Sequence, residues 1–139
     1  MSSGSRSGSS SRTCSRDRVA ASKSSTSATQ MRMAEFIASV SPLIPWHVTA
    51  FHKDYRMRDP ANTGPETLLR AAAIGEAAGL NYVYAGNLPG LVGRYEDTRC
   101  HQCRTPLIER RGYVILNDRL SATGTCPQCG TSIPGMWRQ

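Results

Sequence analysis

The sequence has no long apolar run. No stretch approaches the roughly eighteen consecutive apolar residues of a membrane-spanning helix, so none is expected. Residues 1–30, "MSSGSRSGSSSRTCSRDRVAASKSSTSATQ", hold one Val, no aromatic residue and one acid, Asp17. Such a stretch cannot bury enough apolar surface to offset its ordering entropy, and it reads as a disordered Ser/Arg-rich tail. It lacks the apolar core of a signal peptide. Ser and Arg with few acids also make a transit peptide, but an unstructured tail or a misplaced gene start is the preferred reading. Cysteine is scarce too: there are five, an odd number. Four fall in two Cys-x2-Cys pairs and Cys14 is left over, which suits a reducing compartment, the cytoplasm, better than a secreted disulfide framework.

The charge is less informative than its size implies. The chain carries a formal +7, of which Arg6, Arg12, Arg16, Arg18 and Lys23 against Asp17 place +4 in the tail, leaving +3 for residues 31–139. Four thiolates around Zn²⁺ contribute −2, bringing the patterned part near +1. That is a weak basis for a nucleic-acid-binding face, because phosphate contacts dominate such affinity.

Hydrophobic spacing organises residues 31–90. Met33, Phe36, Ile37 and Val40 recur at helical spacing, and Ser41-Pro42 ends the helix. "LIPWHVTAF" (residues 43–51) is almost continuously apolar, as in a strand of a parallel sheet covered on both faces. Alternation puts His47, Thr49 and Phe51 on one face and Trp46, Val48 and Ala50 on the other. A polar loop follows. Then Thr63 is placed to cap a helix with Glu66 as its capping-box partner and Pro65 in the first turn. Leu68, Leu69, Ala72, Ala73 and Ala77 form the expected buried stripe, and Gly79 the left-handed stop. "LNYVYAGN" (residues 80–87) reads as a second buried strand. The result is a βαβ unit with a helix in front. Two strands of this kind are not a domain and belong to a larger sheet. No internal repeat is evident.

Residues 91–139 read as a separate Cys₄ module. Cys100-x2-Cys103-x22-Cys126-x2-Cys129, around a β-hairpin turning at Arg111-Gly112, is the pattern of a zinc ribbon. Pro127 and Gly130 suit the second knuckle, whereas Arg104 stands where the first would favour glycine. A redox Cys-x2-Cys needs only one pair, and a linear [4Fe–4S] motif has tighter spacing. The ribbon pattern favours zinc, although the spacing alone leaves iron open. Four thiolates fill the metal, so His101 is expected to be exposed, and the site to be structural. Arg99, Arg104, Arg110, Arg111 and Arg119 either offset its charge or meet an acidic partner.

Three stretches, "PWHVTAFHKDYRM", "TLLRAAAIGEAAGLNYVYAGN" and the closing "CPQCGTSIPG", occur in this order across roughly residues 33–137. In them the sequence resembles the C-terminal part of radical S-adenosylmethionine proteins of the AmmeMemoRadiSam group, related to pyruvate formate-lyase activating enzyme. The resemblance implies an α/β fold: the C-terminal fragment of a partial (β/α) barrel followed by a zinc-ribbon-like β-hairpin module. It implies that His47, on a late strand, lies on the S-adenosylmethionine side; the plainer alternative is a core histidine bonded to a neighbour. His52, Lys53, Asp54 and Asn87 fall at C-terminal strand ends, where barrel enzymes carry their sites. The family's N-terminal Cys-x3-Cys-x2-Cys, which holds its [4Fe–4S] cluster, has no counterpart here. Without three such thiolates there is no cluster and no reductive cleavage of S-adenosylmethionine, so no catalytic residue is assigned to this chain.

Three functions follow as expectations. The chain is the C-terminal portion of such an enzyme and needs the missing barrel portion; or it is a split-enzyme subunit that docks on a complementary chain; or it is a stand-alone zinc-ribbon module that binds nucleic acid or protein. The bare apolar strands favour the first two. The near-neutral charge argues against nucleic acid.

Overall fold

The computed structural model describes residues 16–58 and 61–137, with side chains from residue 26 onward. In chain order, α1 (Arg16–Val40) leads to β1 (Trp46–Thr49), α2 (Pro65–Ala77) and β2 (Val83–Gly86). A 3₁₀ turn at Gly93–Glu96 precedes β3 (Thr98–Arg99), β4 (Pro106–Arg111) and β5 (Val114–Asp118). β1 and β2 pair in parallel, with Trp46 opposite Val83 and Thr49 opposite Gly86. β3, β4 and β5 form a separate antiparallel sheet in that order. The fold is thus a mixed helix-and-strand domain with two small sheets, and no barrel closes among the described residues. Among them, too, no helix is long and apolar enough to cross a membrane.

Helix α1 begins at Arg16, inside the stretch read as a disordered tail. Residues 1–15 of that stretch lie outside the described residues. Its apolar positions divide: Ala34, Ile37 and Ala38 pack towards Trp46 and α2, while Met33, Phe36 and Val40 stay exposed. Small residues win the contact because the two helices approach closely, with Ala34 and Ala72 both fully buried.

Helix α2 follows the expected span, with Pro65 at its start and Gly79 left-handed (φ +94°) after its end. Its cap differs from expectation. Gly64 is the N-cap, and no side chain caps it. The Thr63 hydroxyl instead accepts a hydrogen bond from the Phe51 N–H at 3.1 Å, while Thr63 N–H donates to the Phe51 carbonyl at 2.9 Å. A two-bond clasp to the end of β1 outcompetes a local cap. The buried stripe is also rotated: Leu68, Ala71, Ala72 and Gly75 are buried, and Leu69, Ala73 and Ala77 are exposed. Gly75 sets the rotation, because a Cβ there would collide with the Trp46 ring.

The strand alternation holds. Trp46 and Ala50 are buried beneath the helices, and His47 and Thr49 are exposed on the other face. Coverage on both faces does not hold within the described residues, since the helices occupy one side. Leu68, Ala50, Ala85 and Val92 close the upper part of this core. Tyr82, just before β2, turns into the core of the other sheet with Leu107, Ile108, Ile133, Cys100 and Cys126.

Candidate metal centre

The four paired cysteines converge. The sulfurs of Cys100, Cys103, Cys126 and Cys129 all lie within 4.8 Å of one another. Two pairs cross between the knuckles, Cys100 with Cys129 and Cys103 with Cys126, each at 3.6 Å. A disulfide needs about 2.05 Å. A tetrahedron of thiolates at about 2.3 Å from one ion has sulfur–sulfur edges of about 3.8 Å. The four side chains therefore form a group able to hold a single metal ion. A multi-iron cluster would spread its thiolates further apart.

Each knuckle is built by the same bonds. Cys100 N–H donates to the Thr105 carbonyl and Arg104 N–H to the Cys100 carbonyl, both at 2.9 Å. Cys126 N–H donates to the Thr131 carbonyl at 2.9 Å and Gly130 N–H to the Cys126 carbonyl at 2.8 Å. The threonine hydroxyls lie 3.2 Å from Cys103 Sγ and Cys129 Sγ. Arg104 has φ +62° where Gly130 has φ +73°, so arginine occupies the left-handed corner that glycine fills without strain. The sequence contains this duplication, "CHQCRT" against "CPQCGT", as Cys-x-Gln-Cys-x-Thr. Reading only the cysteine gaps misses it; aligning the two hexapeptides finds it.

The sulfurs differ in environment. Cys100 and Cys126 are buried, Cys103 is half-buried and Cys129 is exposed. Burial pushes the Cys100 thiol up to about 11, whereas the Thr105 hydroxyl and backbone beside Cys103 bring it down to about 6. Thr131 lowers Cys129 in the same way. The two threonines thus favour thiolate, the form a metal binds.

His101 is not free in solvent. It is half-buried, and its Nδ1 lies 2.8 Å from the Tyr82 hydroxyl. Burial, then Tyr84 and Cys100, raise Tyr82 to about 12, so the phenol stays protonated and is able to donate. The arginines expected around the site are largely engaged elsewhere. Arg99 pairs with Asp97 at 3.7 Å, Arg119 with Glu109 at 3.8 Å, and Arg110 Nη1 donates to Thr98 Oγ1 at 3.0 Å.

The residues expected at strand ends separate into two groups. His47 stacks on Tyr84, with ring centroids 4.7 Å apart, and lines a cavity of about 540 Å³ together with Thr49, Asn87, Glu96 and Tyr113. Asn87 ties the two strand ends together beside the cavity: it adopts φ +67°, and its Nδ2 donates to the Ala50 carbonyl at 2.9 Å. His52, Lys53 and Asp54 are exposed on the following loop. Glu96 fixes the far wall, since its two oxygens accept from Gly90 N–H and Gly112 N–H, each at 2.6 Å.

No family model matches the chain, and no solved structure matches it. A protein of Methanocaldococcus jannaschii, named only as uncharacterized, is 40% identical over 93 residues, covering 64% of this chain and 26% of that protein. The chain is similar to that protein over about a quarter of the latter's length.

Proposed function

We propose that this chain is the C-terminal portion of a radical S-adenosylmethionine protein of the activating-enzyme type, carrying a structural zinc and receiving its cluster from polypeptide outside these residues. The observation that carries the reading is the bare face of a parallel βαβ unit. There His47 and Thr49 project beside Tyr84, and the carboxyl ends of the strands open on a cavity. This is where a barrel enzyme keeps its site. On this reading β1, α2 and β2 are the last part of a partial barrel, and residues 91–139 are the zinc-ribbon-like module behind it. The long archaeal relative is compatible with a larger whole.

The four cysteines fit one tetrahedral ion, with Cys100, Cys103, Cys126 and Cys129 as its shell. A closed four-thiolate shell leaves no open position, so its ion would supply cohesion and not catalysis. Such a shell needs reducing surroundings, which supports a cytoplasmic location. A [4Fe–4S] cluster does not fit this chain. Among the described residues these four cysteines belong to the single-ion shell, and Cys14 lies outside them. The radical step therefore belongs to the polypeptide that carries the cluster.

The test begins with the DNA upstream of the Met1 codon. An in-frame Cys-x3-Cys-x2-Cys there, expressed with this chain, is expected to take up a cluster and cleave S-adenosylmethionine under reduction. Finding no such sequence upstream or in a neighbouring gene overturns the reading.

A further inference from the structure

The cavity at the strand ends holds a cation with no ion-pair partner. It measures about 540 Å³, within the range of small-molecule sites. The parallel sheet contributes His47, Tyr84 and Gly86 to its lining, and the residues after β2 contribute Glu96, Arg110 and Tyr113. Arg110 is half-buried, and its Nη1 donates to Thr98 Oγ1, a neutral acceptor, at 3.0 Å. Among the described residues no carboxylate forms an ion pair with it. Glu96, the carboxylate on the same cavity, instead has an amide N–H on each oxygen, from Gly90 and from Gly112. Desolvating a guanidinium costs free energy that a ligand's negative charge would offset.

The cation and the aromatic wall are held by one atom. Thr98 is buried, and its Oγ1 also accepts from the Tyr84 hydroxyl at 3.2 Å, so Arg110 and the Tyr84 ring have fixed places before any ligand arrives. His47 stacks on Tyr84 with the ring planes 18° apart. Gly86 follows Tyr84 by two residues on the same face of β2 and has no side chain, which leaves a flat floor beside the ring. The Tyr113 side chain, at the hairpin turn, is fully exposed and free to close over that floor.

We propose that this cavity binds a small planar molecule bearing one carboxylate. Arg110 pairs with the carboxylate, and the flat body lies over Gly86 between Tyr84 and Tyr113. The inference deepens the reading above, in which this cavity belongs to the site of a larger enzyme, by naming the class of its substrate. One guanidinium balances one negative charge and suits the two oxygens of a carboxylate. A phosphate monoester carries about −1.5 to −2 at neutral pH, and its surplus would face Glu96. S-Adenosylmethionine sets a sulfonium and an ammonium against one carboxylate, a net positive charge that an unpaired arginine disfavours.

Calorimetric titration of the full, zinc-loaded chain with benzoate, neutral benzamide, phenyl phosphate and S-adenosylmethionine tests this. Benzoate should bind about tenfold or more tightly than benzamide, the effect of a charge-assisted hydrogen bond, and at least as tightly as the other two. It should also shift the Gly86 and Gly112 amide signals. Arg110→Gln should abolish the preference for benzoate over benzamide. That variant also loses the bond to Thr98, so its zinc content and melting temperature are measured beside it. Tyr113→Ala removes an exposed ring and leaves the core intact; it should weaken benzoate and benzamide alike, by several-fold, and keep their ratio. Equal affinity for benzoate and benzamide, an unchanged preference in folded Arg110→Gln, tighter binding of phenyl phosphate or S-adenosylmethionine, or no binding of any probe overturns the site. None of these measurements needs a cluster. A missing Cys-x3-Cys-x2-Cys sequence would sink the radical-enzyme reading and leave the site standing, whereas equal affinities would sink the site and leave that reading in place.

Discussion

The Tyr82 hydroxyl lies 2.8 Å from Nδ1 of His101, which bonds the residue leading into β2 to the first cysteine knuckle. Tyr82 also packs against Cys100 and Leu107 in the same core. The parallel unit and the cysteine module are therefore joined by a buried side chain. Tyr82→Phe removes the hydrogen bond and keeps the ring. It is expected to lower stability by about 1 kcal/mol, read as a shift in denaturant midpoint. If Tyr82→Phe has the same effect in a His101→Ala background, the two residues do not act together.

Removing the metal should unfold the cysteine module. The core of residues 100–137 includes Cys100 and Cys126 themselves, beside Leu107 and Ile133, so the shell and the core form together. A chelator at neutral pH is expected to collapse the amide dispersion of this segment, and metal analysis before treatment to give one zinc per chain. Amide spectra that stay unchanged after zinc loss would exclude the structural role.

The two left-handed corners give opposite outcomes. Gly130→Ala forces a Cβ into φ +73° and is expected to cost about 1 kcal/mol. Arg104→Gly relieves the same strain at φ +62° and is expected to stabilise by a smaller amount, because glycine also loses more entropy on folding. Chemical denaturation of the metal-loaded variants measures both.

Acid should release the metal from the folded site at a pH that Thr105 helps set. Cys103 has its folded value lowered to about 6, against an ordinary thiol near 8.5, so protons compete with a bound ion at this sulfur only as pH falls through about 6. Thr105→Val removes the hydroxyl 3.2 Å from Cys103 Sγ and should raise the pH midpoint of metal release from the loaded protein, followed with a zinc indicator. A midpoint that does not move assigns the shift to the backbone instead.

Glu96 links the loop after β2 to the hairpin turn through two short bonds, to Gly90 and Gly112. Glu96→Gln halves the accepting capacity and removes the charge. The Gly90 and Gly112 amide protons are expected to move upfield and exchange faster, while the Cys₄ site keeps its metal. Equal exchange in both proteins would mean that the turn holds its place without Glu96.

Local chemistry made several features legible in the sequence. Two equal cysteine gaps present thiolates to one side of a tight turn, so the ligand set needs little tertiary information. Pro65 and Gly79 mark the ends of α2 because their backbone preferences act on a single residue. The period of a strand assigns Trp46 and His47 to opposite faces wherever the sheet lies.

Other features depend on what a face meets, which no local pattern contains. Tertiary packing chose Ala34 over Phe36 on α1 and rotated the α2 stripe onto Gly75, because Trp46 occupies the space between sheet and helix. It gave the Thr63 hydroxyl to Phe51 and left the start of α2 without a side-chain cap. It brought Tyr82 to His101 across 19 residues of sequence. The atoms able to hold a metal, and the ends of α2, follow from residues close together along the chain. The choice of which apolar face is buried and which stays open belongs to the assembled fold. Burial is a property of two surfaces, and the sequence of one element describes only its own.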